Sequence, residues 1–468
     1  MKELLVDSLL QEIKQKQEDL EIIKTKQNKL NLTSYFFSSM FNLEEFNKFY
    51  LDKIDETNFT HLDTTFPGIF LRLSEFTKSH FSYVLNKGSL ILNIDDEEFY
   101  LVNISKIPKR APTPSELDPV NLLDGHDGFI ENIHDNLALI RKRIKSENLI
   151  VEKYILGTTS KTDTILIYLE EFKDLPYIKK TKETLSSYNK ESLTNINDLN
   201  KAFKGASLLP NVFNTSSPDY VVTSLTDGKA VILIDNSPVV SVLPTTLTMF
   251  TTIKNEANEP KYYTFFARAF TILFFFLSVF SIGLIIALTN FHPTLFSNLF
   301  MANIQITERG TTFPLFIESI IVLFLFEFFR LISSRSPNNY VQNIIIIFSG
   351  LFIGQNAISS GIVGESVLLL TSISYVSSFA ITNNPHLVTS IDLFRLYNLI
   401  LSYTFGLLGF SIGIITTLLY FGHQKSVGVS LFSPFSPLKL QGIKNFFFPQ
   451  KEGKLWIKLK LFLPLLLL

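Results

Sequence analysis

The chain has 468 residues, of which 46% are hydrophobic and 18% are charged, and its formal net charge is −1 at pH 7. A near-neutral chain lacks the overall positive charge expected of a nucleic-acid-binding protein. The sequence also contains no cysteine, which excludes disulfides, thiol nucleophiles and cysteine-ligated metal centres.

The charged residues are unevenly distributed, and this divides the sequence near residue 260. The part before Lys261 is lysine-rich, whereas Asp, Glu, Lys and Arg become scarce from Phe265 to Gln424. The start of the chain has no apolar segment of signal-peptide length, so we expect the amino-terminal region to be cytoplasmic. The predicted fold is an α/β cytoplasmic domain of two subdomains followed by a polytopic α-helical membrane domain. The expected segments are residues 1–110, 111–258, 259–424 and a tail at 425–468.

The soluble region alternates between strand and helix patterns. Residues 88–104 predict two strands around an acidic turn, and residues 127–144 predict a helix. Residues 154–169 predict two strands around a polar turn, and residues 220–242 predict a helix, an Asp-Gly turn and a strand. These patterns indicate an α/β arrangement.

Two motifs in this region invite hypotheses about ligands, but local structure explains them better. The turn G-T-T-S-K-T at 157–162 lacks the glycine spacing of a phosphate loop, which favours a hairpin turn. The acidic and histidine residues from Asp124 to His134 fit a helix start with Asp127 as its N-cap better than a metal site. Because no nucleophile or metal motif converges, we predict no enzyme activity, no cofactor and no metal.

Five segments are apolar enough to be transmembrane helices, at 269–288, 313–332, 341–362, 366–380 and within 396–421. Basic residues flank these segments on the side of the amino-terminal domain, which predicts that this side is cytoplasmic. The lysines of the tail fall on the opposite side in a five-span count, against the same rule. A sixth crossing or a re-entrant segment at 295–306 would remove the conflict.

Polar residues inside these segments are candidates for function, because a carboxylate in a membrane is costly. Glu318 has no basic residue three or four positions away, which favours a polar cavity or ion path over an ion pair. Glu327 lies one turn from Arg330, and we predict a structural ion pair between them. Gln355 and Asn356 can either line a pore or form hydrogen bonds between helices.

Several blocks occur in the order and spacing of one known family. They are D-G-F-I-E-N-I-H-D-N-L-A-L-I-R-K-R-I at 127–144, S-P-D-Y-V-V-T-S-L-T-D-G-K-A-V-I-L-I-D-N-S-P at 217–238, F-P-L-F-I-E at 313–318, F-E-F-F-R at 326–330, I-G-Q-N-A-I-S-S-G at 353–361 and S-P-F-S-P at 433–437. As a series they resemble the A subunits of spore germinant receptors, the GerA family. The sequence departs from the family pattern at Ser216 and Ser217, where Glu-Arg is usual, and at Leu323 and Leu331, where Glu is frequent.

The resemblance implies a nutrient receptor subunit in the inner membrane of a bacterial spore. The implied partners are a transporter-like, nutrient-binding B subunit, a lipoprotein C subunit, membrane lipid and further copies of this chain, but no nucleic acid. It also implies a ring of A subunits around a pore that releases monovalent cations, with Glu318, Gln355 and Asn356 as candidate pore or gate residues.

Two other functions remain open from the sequence. One is a non-conducting sporulation membrane scaffold with the same fold, as in stage V sporulation protein AF. The other is a solute transporter, although five spans without an evident internal repeat differ from the inverted repeats common in transporters.

Overall fold

The computed structural model describes residues 2–54, 59–73, 77–95, 98–104, 127–193, 195–204, 207–252, 260–295, 311–334, 354–382 and 384–448. Two antiparallel sheets occupy the region that we predicted to be soluble, and helices occupy the apolar region. The predicted division near residue 110 lies outside the described residues, so the domain boundaries stay predictions.

The first unit is a five-stranded antiparallel sheet with helices on both faces, and its strand order is β1-β2-β4-β5-β3. Its elements are α1 (Lys2–Lys16), β1 (Leu20–Gln27), β2 (Leu30–Phe37), α2 (Leu43–Phe49), α3 (Leu62–Thr65), β3 (Phe70–Arg72), α4 (Lys78–Asn86), β4 (Leu90–Ile94) and β5 (Glu98–Val102). The predicted pair of strands around an acidic turn corresponds to β4 and β5, which pair antiparallel.

The second unit is also a five-stranded antiparallel sheet, with the order β6-β7-β9-β10-β8. Its elements are α5 (Ile133–Arg143), β6 (Leu149–Leu156), β7 (Thr162–Leu169), α6 (Pro176–Ser186), α7 (Ile196–Lys204), β8 (Phe213–Thr215), α8 (Pro218–Thr226), β9 (Ala230–Ile234), β10 (Val240–Leu243) and α9 (Leu247–Thr251). The predicted strand–turn–strand at 154–169 and helix–turn–strand at 220–242 are confirmed by β6, β7, α8 and β9.

The two units repeat one topology. In each unit a helix and a hairpin are followed by helices, an edge strand, a further helix and a second hairpin. The helices that precede the second hairpin, α4 and α8, end at equivalent glycines, Gly88 and Gly228, with φ of 88° and 84°. The N–H of each glycine donates to the carbonyl three residues earlier in the chain. The N–H of the residue after it donates to the carbonyl five residues earlier. Glycine adopts this left-handed helix end without a Cβ penalty.

Each sheet is covered by apolar side chains on both faces. In the second unit, Leu137 and Val221 of α5 and α8 pack on one face, whereas Ile178 and Leu199 of α6 and α7 pack on the other. The first unit has the same three layers, with α1 and α4 opposite α2 and α3. Each fully buried aliphatic side chain contributes about 1.5–3 kcal/mol, so burial on both faces stabilises each sheet.

A fully buried arginine joins the two units. Arg141 of α5 donates through Nη2 and Nε to the two carboxylate oxygens of Asp19, at 2.5 and 3.1 Å. Its Nη1 donates to Gln17 Oε1 at 3.1 Å and to Asn86 Oδ1 at 2.7 Å. The guanidinium also lies 3.7 Å from the ring centroid of Phe37. Because all its polar partners come from the first unit, Arg141 fixes the relative position of the units.

The apolar region forms a bundle of helices. They are α10 (Lys261–Phe291), α11 (Leu315–Ser334), the helical residues 354–359, α12 (Glu365–Ile381) and α13 (Pro385–His423). Two of them, α10 and α13, are long and apolar enough to cross a bilayer. The predicted span at 341–362 lies mostly outside the described residues, as does the segment at 295–306, so the number of spans stays a prediction.

Helix α13 reverses direction within its length. Gly406 has φ 61° and ψ −138°, which is outside the helical region. The side chain of Asn398 donates to Thr417 Oγ1 at 3.1 Å across 19 residues, a separation that would be about 28 Å in a straight helix. Residues 385–405 and 407–423 are therefore two antiparallel arms. The predicted fifth span within 396–421 is wrong as a single crossing, because Gly406 reverses the direction of the chain inside it.

The second arm returns the chain to the soluble units. Ser426 Oγ donates to the carbonyl of Asn211 at 2.6 Å, and the N–H of Leu247 donates to the carbonyl of Leu431 at 2.7 Å. Val427 is buried in the core cluster on the α6 and α7 face of the second unit. The residues after α13 thus lie on the side of the amino-terminal domain. This is the side on which the positive-inside rule places the lysines of the tail. The reversal at Gly406 removes the conflict between the tail lysines and the positive-inside rule, for which we predicted a sixth crossing or a re-entrant segment at 295–306.

Candidate functional site

The bundle has two ends that differ in their neighbours. At the proximal end, Ser390 and Tyr420 of the two α13 arms both form hydrogen bonds with Leu208 of the second soluble unit. At the distal end, the Cα of Gly406 lies against Phe291, the last residue of α10. The candidate residues predicted from the sequence are divided between these ends.

Glu318 lies at the distal end, in the first turn of α11, and its side chain is fully buried. Its Oε2 accepts a hydrogen bond from the N–H of Gly364 at 2.9 Å, and Gly364 is the N-cap of α12. The carboxylate is therefore close to the N-termini of two helices, where unsatisfied N–H groups and the helix dipole favour negative charge. Its Oε1 is buried and has no hydrogen-bond partner among the described residues.

The turn that precedes α12 is bound to the segment that precedes α11. The carbonyl of Gly361 accepts hydrogen bonds from both the N–H and the hydroxyl of Thr312, at 2.8 and 3.1 Å. Within the turn, the N–H of Ile362 donates to the carbonyl of Ala357 at 3.0 Å. Together with Glu318, these contacts hold residues 357–364 against the start of α11.

Gln355 and Asn356 lie in the helical residues 354–359, and both side chains are exposed in the single chain. In the described part of the structure, no hydrogen bond joins either amide to Glu318. The three candidate pore or gate residues therefore share the distal end without forming one polar cluster.

Glu327 and Arg330 lie near the proximal end of α11. The guanidinium donates to both carboxylate oxygens of Glu327, at 2.9 and 2.5 Å, which is the geometry predicted from their spacing. Arg330 Nη2 also donates to Thr389 Oγ1 at 3.1 Å and lies 3.8 Å from the carboxylate of Asp392. The pair thus connects α11 to the first arm of α13.

Arg395 continues this network into the centre of the bundle. It is 2% exposed, and its Nη1 donates to Asp392 Oδ1 at 2.7 Å. Its Nε donates to the carbonyl of Ser278 in α10 at 2.7 Å, and its Nη2 donates to the carbonyl of Ser374 in α12 at 3.1 Å. One side chain therefore ties together α10, α12 and α13.

The predicted N-cap of α5 is wrong. The helix begins at Ile133 after the N-cap Asn132, whose Oδ1 accepts from the N–H of His134 at 2.9 Å. Asp127 instead accepts two hydrogen bonds from Arg143, at 2.7 and 2.8 Å. An asparagine directly before the helix satisfies its first N–H groups, which leaves the more distant Asp127 to pair with a cation.

The turn at 157–162 joins β6 to β7, as predicted for a hairpin. The N–H groups of Thr158, Thr159 and Ser160 donate to the carbonyls of Lys190 and Glu191, at 2.9 to 3.2 Å. A phosphate loop needs such N–H groups free to surround the phosphate. They are occupied here by the backbone that follows α6.

A second polar cluster lies on β6 and β7. Glu152 accepts hydrogen bonds from Lys182 and Tyr168 at 2.6 Å and from Tyr154 at 2.9 Å. Burial alone would raise the pKa of Glu152, but the hydrogen bonds from these three groups outweigh it and lower the pKa below its ordinary value. Burial, followed by the neighbouring carboxylate, raises the pKa of Tyr168 and of Tyr154. The cluster is thus a neutral tyrosine pair around an ion pair.

This cluster predicts a pH dependence of stability. A carboxyl whose pKa is lowered by folding stabilises the fold at pH values above its pKa in the unfolded chain, which is about 4.5. This stabilisation is lost as the pH falls through the lowered pKa of the folded state. Glu152→Gln should flatten the dependence of the urea unfolding midpoint on pH between about 3 and 6. Glu183→Gln, an exposed carboxyl on α6, is the control and should keep the wild-type slope. An equal slope in the wild type and Glu152→Gln would contradict the assignment.

Comparison with known proteins identifies the family. The family model described as Bacillus/Clostridium GerA spore germination protein matches residues 8–457. The chain belongs to the GerA family. The resemblance predicted from the sequence blocks is confirmed, and the family is one of germinant receptor A subunits implicated in spore germination.

The relatives of this GerA-family chain are distant in sequence. Spore germination protein XA of Bacillus anthracis is 28% identical over 366 residues, which cover 78% of this chain and 74% of that protein. Spore germination protein KA of Bacillus subtilis (strain 168) is 26% identical over 368 residues, which cover 77% of this chain and 66% of that protein. The crystal structure of the N-terminal domain of the A subunit of the Bacillus megaterium spore germinant receptor GerK3 gives a TM-score of 0.38 at 18% identity, covering 51% of this chain and 92% of that one.

In this GerA-family chain, sequence reasoning missed two members of the buried network. Asp392 was not singled out, and Arg395 was counted only as a flanking positive charge. Their spacing of three residues in an otherwise apolar helix was the available signal, since such a pair lies on one helix face. Among the described residues, no group of three or more His, Asp or Glu side chains is placed to hold a metal ion.

Proposed function

We propose that this protein is the A subunit of a nutrient germinant receptor in the inner membrane of the spore. In this proposal it works with a nutrient-binding B subunit and a lipoprotein C subunit, and several copies surround a pore that releases cations. The observation that carries the proposal is the match of one germination family to residues 8–457. The two long apolar helices, α10 and α13, support a place in the membrane.

The contacts at the proximal end support coupling between the soluble units and the bundle. Ser390 Oγ donates to the carbonyl of Leu208 at 2.6 Å, and the N–H of Leu208 donates to the hydroxyl of Tyr420 at 2.9 Å. Both arms of α13 thus bind one residue of the second soluble unit. A shift of that residue after nutrient binding by a partner would move both arms together, which biases a closed–open equilibrium.

Glu318 has the features of a gate residue in this scheme. Its carboxylate holds the turn before α12 through Gly364, and its second oxygen is buried without a hydrogen-bond partner among the described residues. Opening of this turn would expose a negative charge beside the exposed amides of Gln355 and Asn356. A carboxylate next to amide oxygens attracts monovalent cations over anions.

Deletion of the gene from its spore-forming host tests the receptor role. We expect purified mutant spores to lose potassium and dipicolinate release for one class of nutrient among amino acids, sugars and nucleosides. Reintroduction of the intact gene should restore it. Unchanged release for every nutrient would instead favour the non-conducting scaffold, and loss of nutrient uptake without loss of cation release would favour a transporter.

Glu318→Gln tests the gate. The amide keeps an acceptor for Gly364 but removes the charge, so we expect nutrient-triggered potassium release to slow by about tenfold if the charge contributes about 1.4 kcal/mol to cation passage. Glu365→Gln is the matched control, because Glu365 is an exposed carboxyl at the same end of the bundle. Equal protein levels must be verified by immunoblot. A release rate equal to that of the wild type would remove Glu318 from the cation path.

A further inference from the structure

A cavity of about 260 Å³ lies at the proximal end of the bundle. Its walls come from α9, from α10, from the end of α12, from both arms of α13 and from the segment after α13, so it lies where the second soluble unit meets the bundle. The lining is almost entirely apolar, as illustrated by Phe275, Ile391, Leu418 and Phe432. An apolar cavity of this kind remains dry unless an apolar molecule fills it.

The cavity is continuous with the apolar outer surface of α10. Phe276 both lines the cavity and is 43% exposed. Phe270 and Leu273 on the same helix are 52% and 48% exposed. In a helix that crosses a bilayer, such side chains contact lipid hydrocarbon. The cavity therefore opens toward the acyl chains of the surrounding lipid.

Basic residues surround the same place. A short helix, α14 (Leu440–Phe447), places Phe446 in the cavity wall and carries exposed Lys444, with exposed Lys439 directly before it. The guanidinium of Arg268 lies 5.0 Å from the ring centroid of Phe446 and donates to its carbonyl. Residues 260–295 and 422–448 contain no Asp or Glu. The part of the rim formed by these two described segments is thus positive and complements an anion.

The same short helix has the character of an interfacial element. Leu438 and Leu440 are 71% and 76% exposed, next to the exposed lysines. Apolar side chains beside lysines are typical of a helix in the interfacial plane of a membrane, with its charges at the level of the headgroups. The rim of the cavity would then lie at headgroup depth.

We propose that this cavity binds one acyl chain of an anionic phospholipid, with its headgroup at Lys439 and Lys444. Its volume is below the about 300–1,000 Å³ of pockets that enclose a drug-sized ligand, so it suits one chain and not a whole lipid. The bound chain would separate α9 of the soluble domain from α10 and α13. The proposal rests on the membrane location given under the proposed function, and not on the pore.

Photolabelling of the full-length protein in nanodiscs tests the proposal. The probes are phosphatidylglycerol and phosphatidylcholine, each with a diazirine in one acyl chain, and adducts are mapped by mass spectrometry. We expect phosphatidylglycerol to label peptides that contain residues 271–276 and 432–446 several-fold more than phosphatidylcholine does. Lys439→Gln combined with Lys444→Gln should remove most of that preference, so that the two lipids label these peptides about equally, because both lysines that attract the anionic headgroup are then lost.

Thr271→Phe tests occupancy of the cavity, because Thr271 lines it and a phenyl ring would fill part of the space. Labelling of the cavity peptides should fall several-fold, whereas Leu273→Phe on the exposed face of α10 should leave it unchanged. If Thr271→Phe does not yield monodisperse protein, competition by unlabelled phosphatidylglycerol against the wild type replaces it. Selective competition by phosphatidylglycerol over phosphatidylcholine is the expected result.

Two results would overturn the proposal. One is labelling spread evenly over the exposed faces of α10 and α13, and the other is equal cavity labelling by both lipids. If the protein enters nanodiscs and gives either result, the lipid proposal fails but the proposed function is unaffected. Failure of the protein to enter nanodiscs would instead contradict the membrane location itself.

Discussion

Replacing Gly406 by alanine is expected to disrupt the reversal of α13 and to destabilise the bundle by about 3 kcal/mol or more. The backbone there has φ 61° and ψ −138°, a conformation that is strained for any residue with a Cβ. A Cβ at this position would also lie 2.8 Å from Cγ of Phe291. Thermal unfolding of the purified protein in detergent should show a lower midpoint.

Because the sequence contains no cysteine, the distance between the two arms in this variant can be tested with a pair of introduced cysteines. A Cβ at Gly413 would lie 3.7 Å from the Cα of Asn398 on the other arm, a separation that a disulfide spans, so cysteines at these two positions should form one in the wild-type background. The Gly406→Ala substitution should strongly reduce its yield. Gly354→Ala is the control, because a Cβ there meets only Leu368 at 3.7 Å. A full disulfide yield and an unchanged midpoint in Gly406→Ala would refute the strain argument.

Arg141→Met is expected to destabilise the soluble units by about 3–5 kcal/mol, because it leaves the fully buried carboxylate of Asp19 without its cation. The expected result is a lower denaturation midpoint and faster proteolysis between the two units. Combining the variant with Asp19→Asn should recover part of the loss, since the remaining buried group is then neutral.

Arg72→Met is the matched control for this prediction. Arg72 pairs with Glu98, but its side chain is 57% exposed, and exposed ion pairs contribute about 0–1 kcal/mol. The difference between the two arginines is thus one of burial, not of pairing. Similar losses in the two variants would show that Arg141 does not fix the units through Asp19.

The elements predicted at 88–104, 127–144, 154–169 and 220–242 could be found because their signals are local. The continuous apolar run of β9 and the Asp-Gly turn before it locate this strand within a few residues. The repeat of the two units was not found in this way, because it lies in the strand order, which no local pattern shows. Packing of apolar side chains maintains such a topology, and many different sequences can provide the same packing.

The candidate site could also be predicted only where its signals are local in the sequence. The contact between Glu327 and Arg330 follows from helical spacing. Glu318 instead binds the backbone N–H of Gly364, 46 residues away, and a backbone partner has no sequence signature. Gly406, Gly409 and Gly413 are all small residues that allow close helix contact in α13, yet only Gly406 among them has a positive φ and turns the chain. Composition cannot separate these two uses of glycine.

The return of the chain to the second soluble unit has a consequence for the order in which the protein matures. Thr245 and Ser426 are hydrogen-bonded neighbours separated by 181 residues, and Val427 completes the core of that unit. Closing an unstructured loop of this length would cost roughly 5 kcal/mol. The assembled bundle removes that cost, because its first and last helices emerge side by side. During synthesis, the second unit therefore stays incomplete until the ribosome has passed the final helix and the bundle has formed.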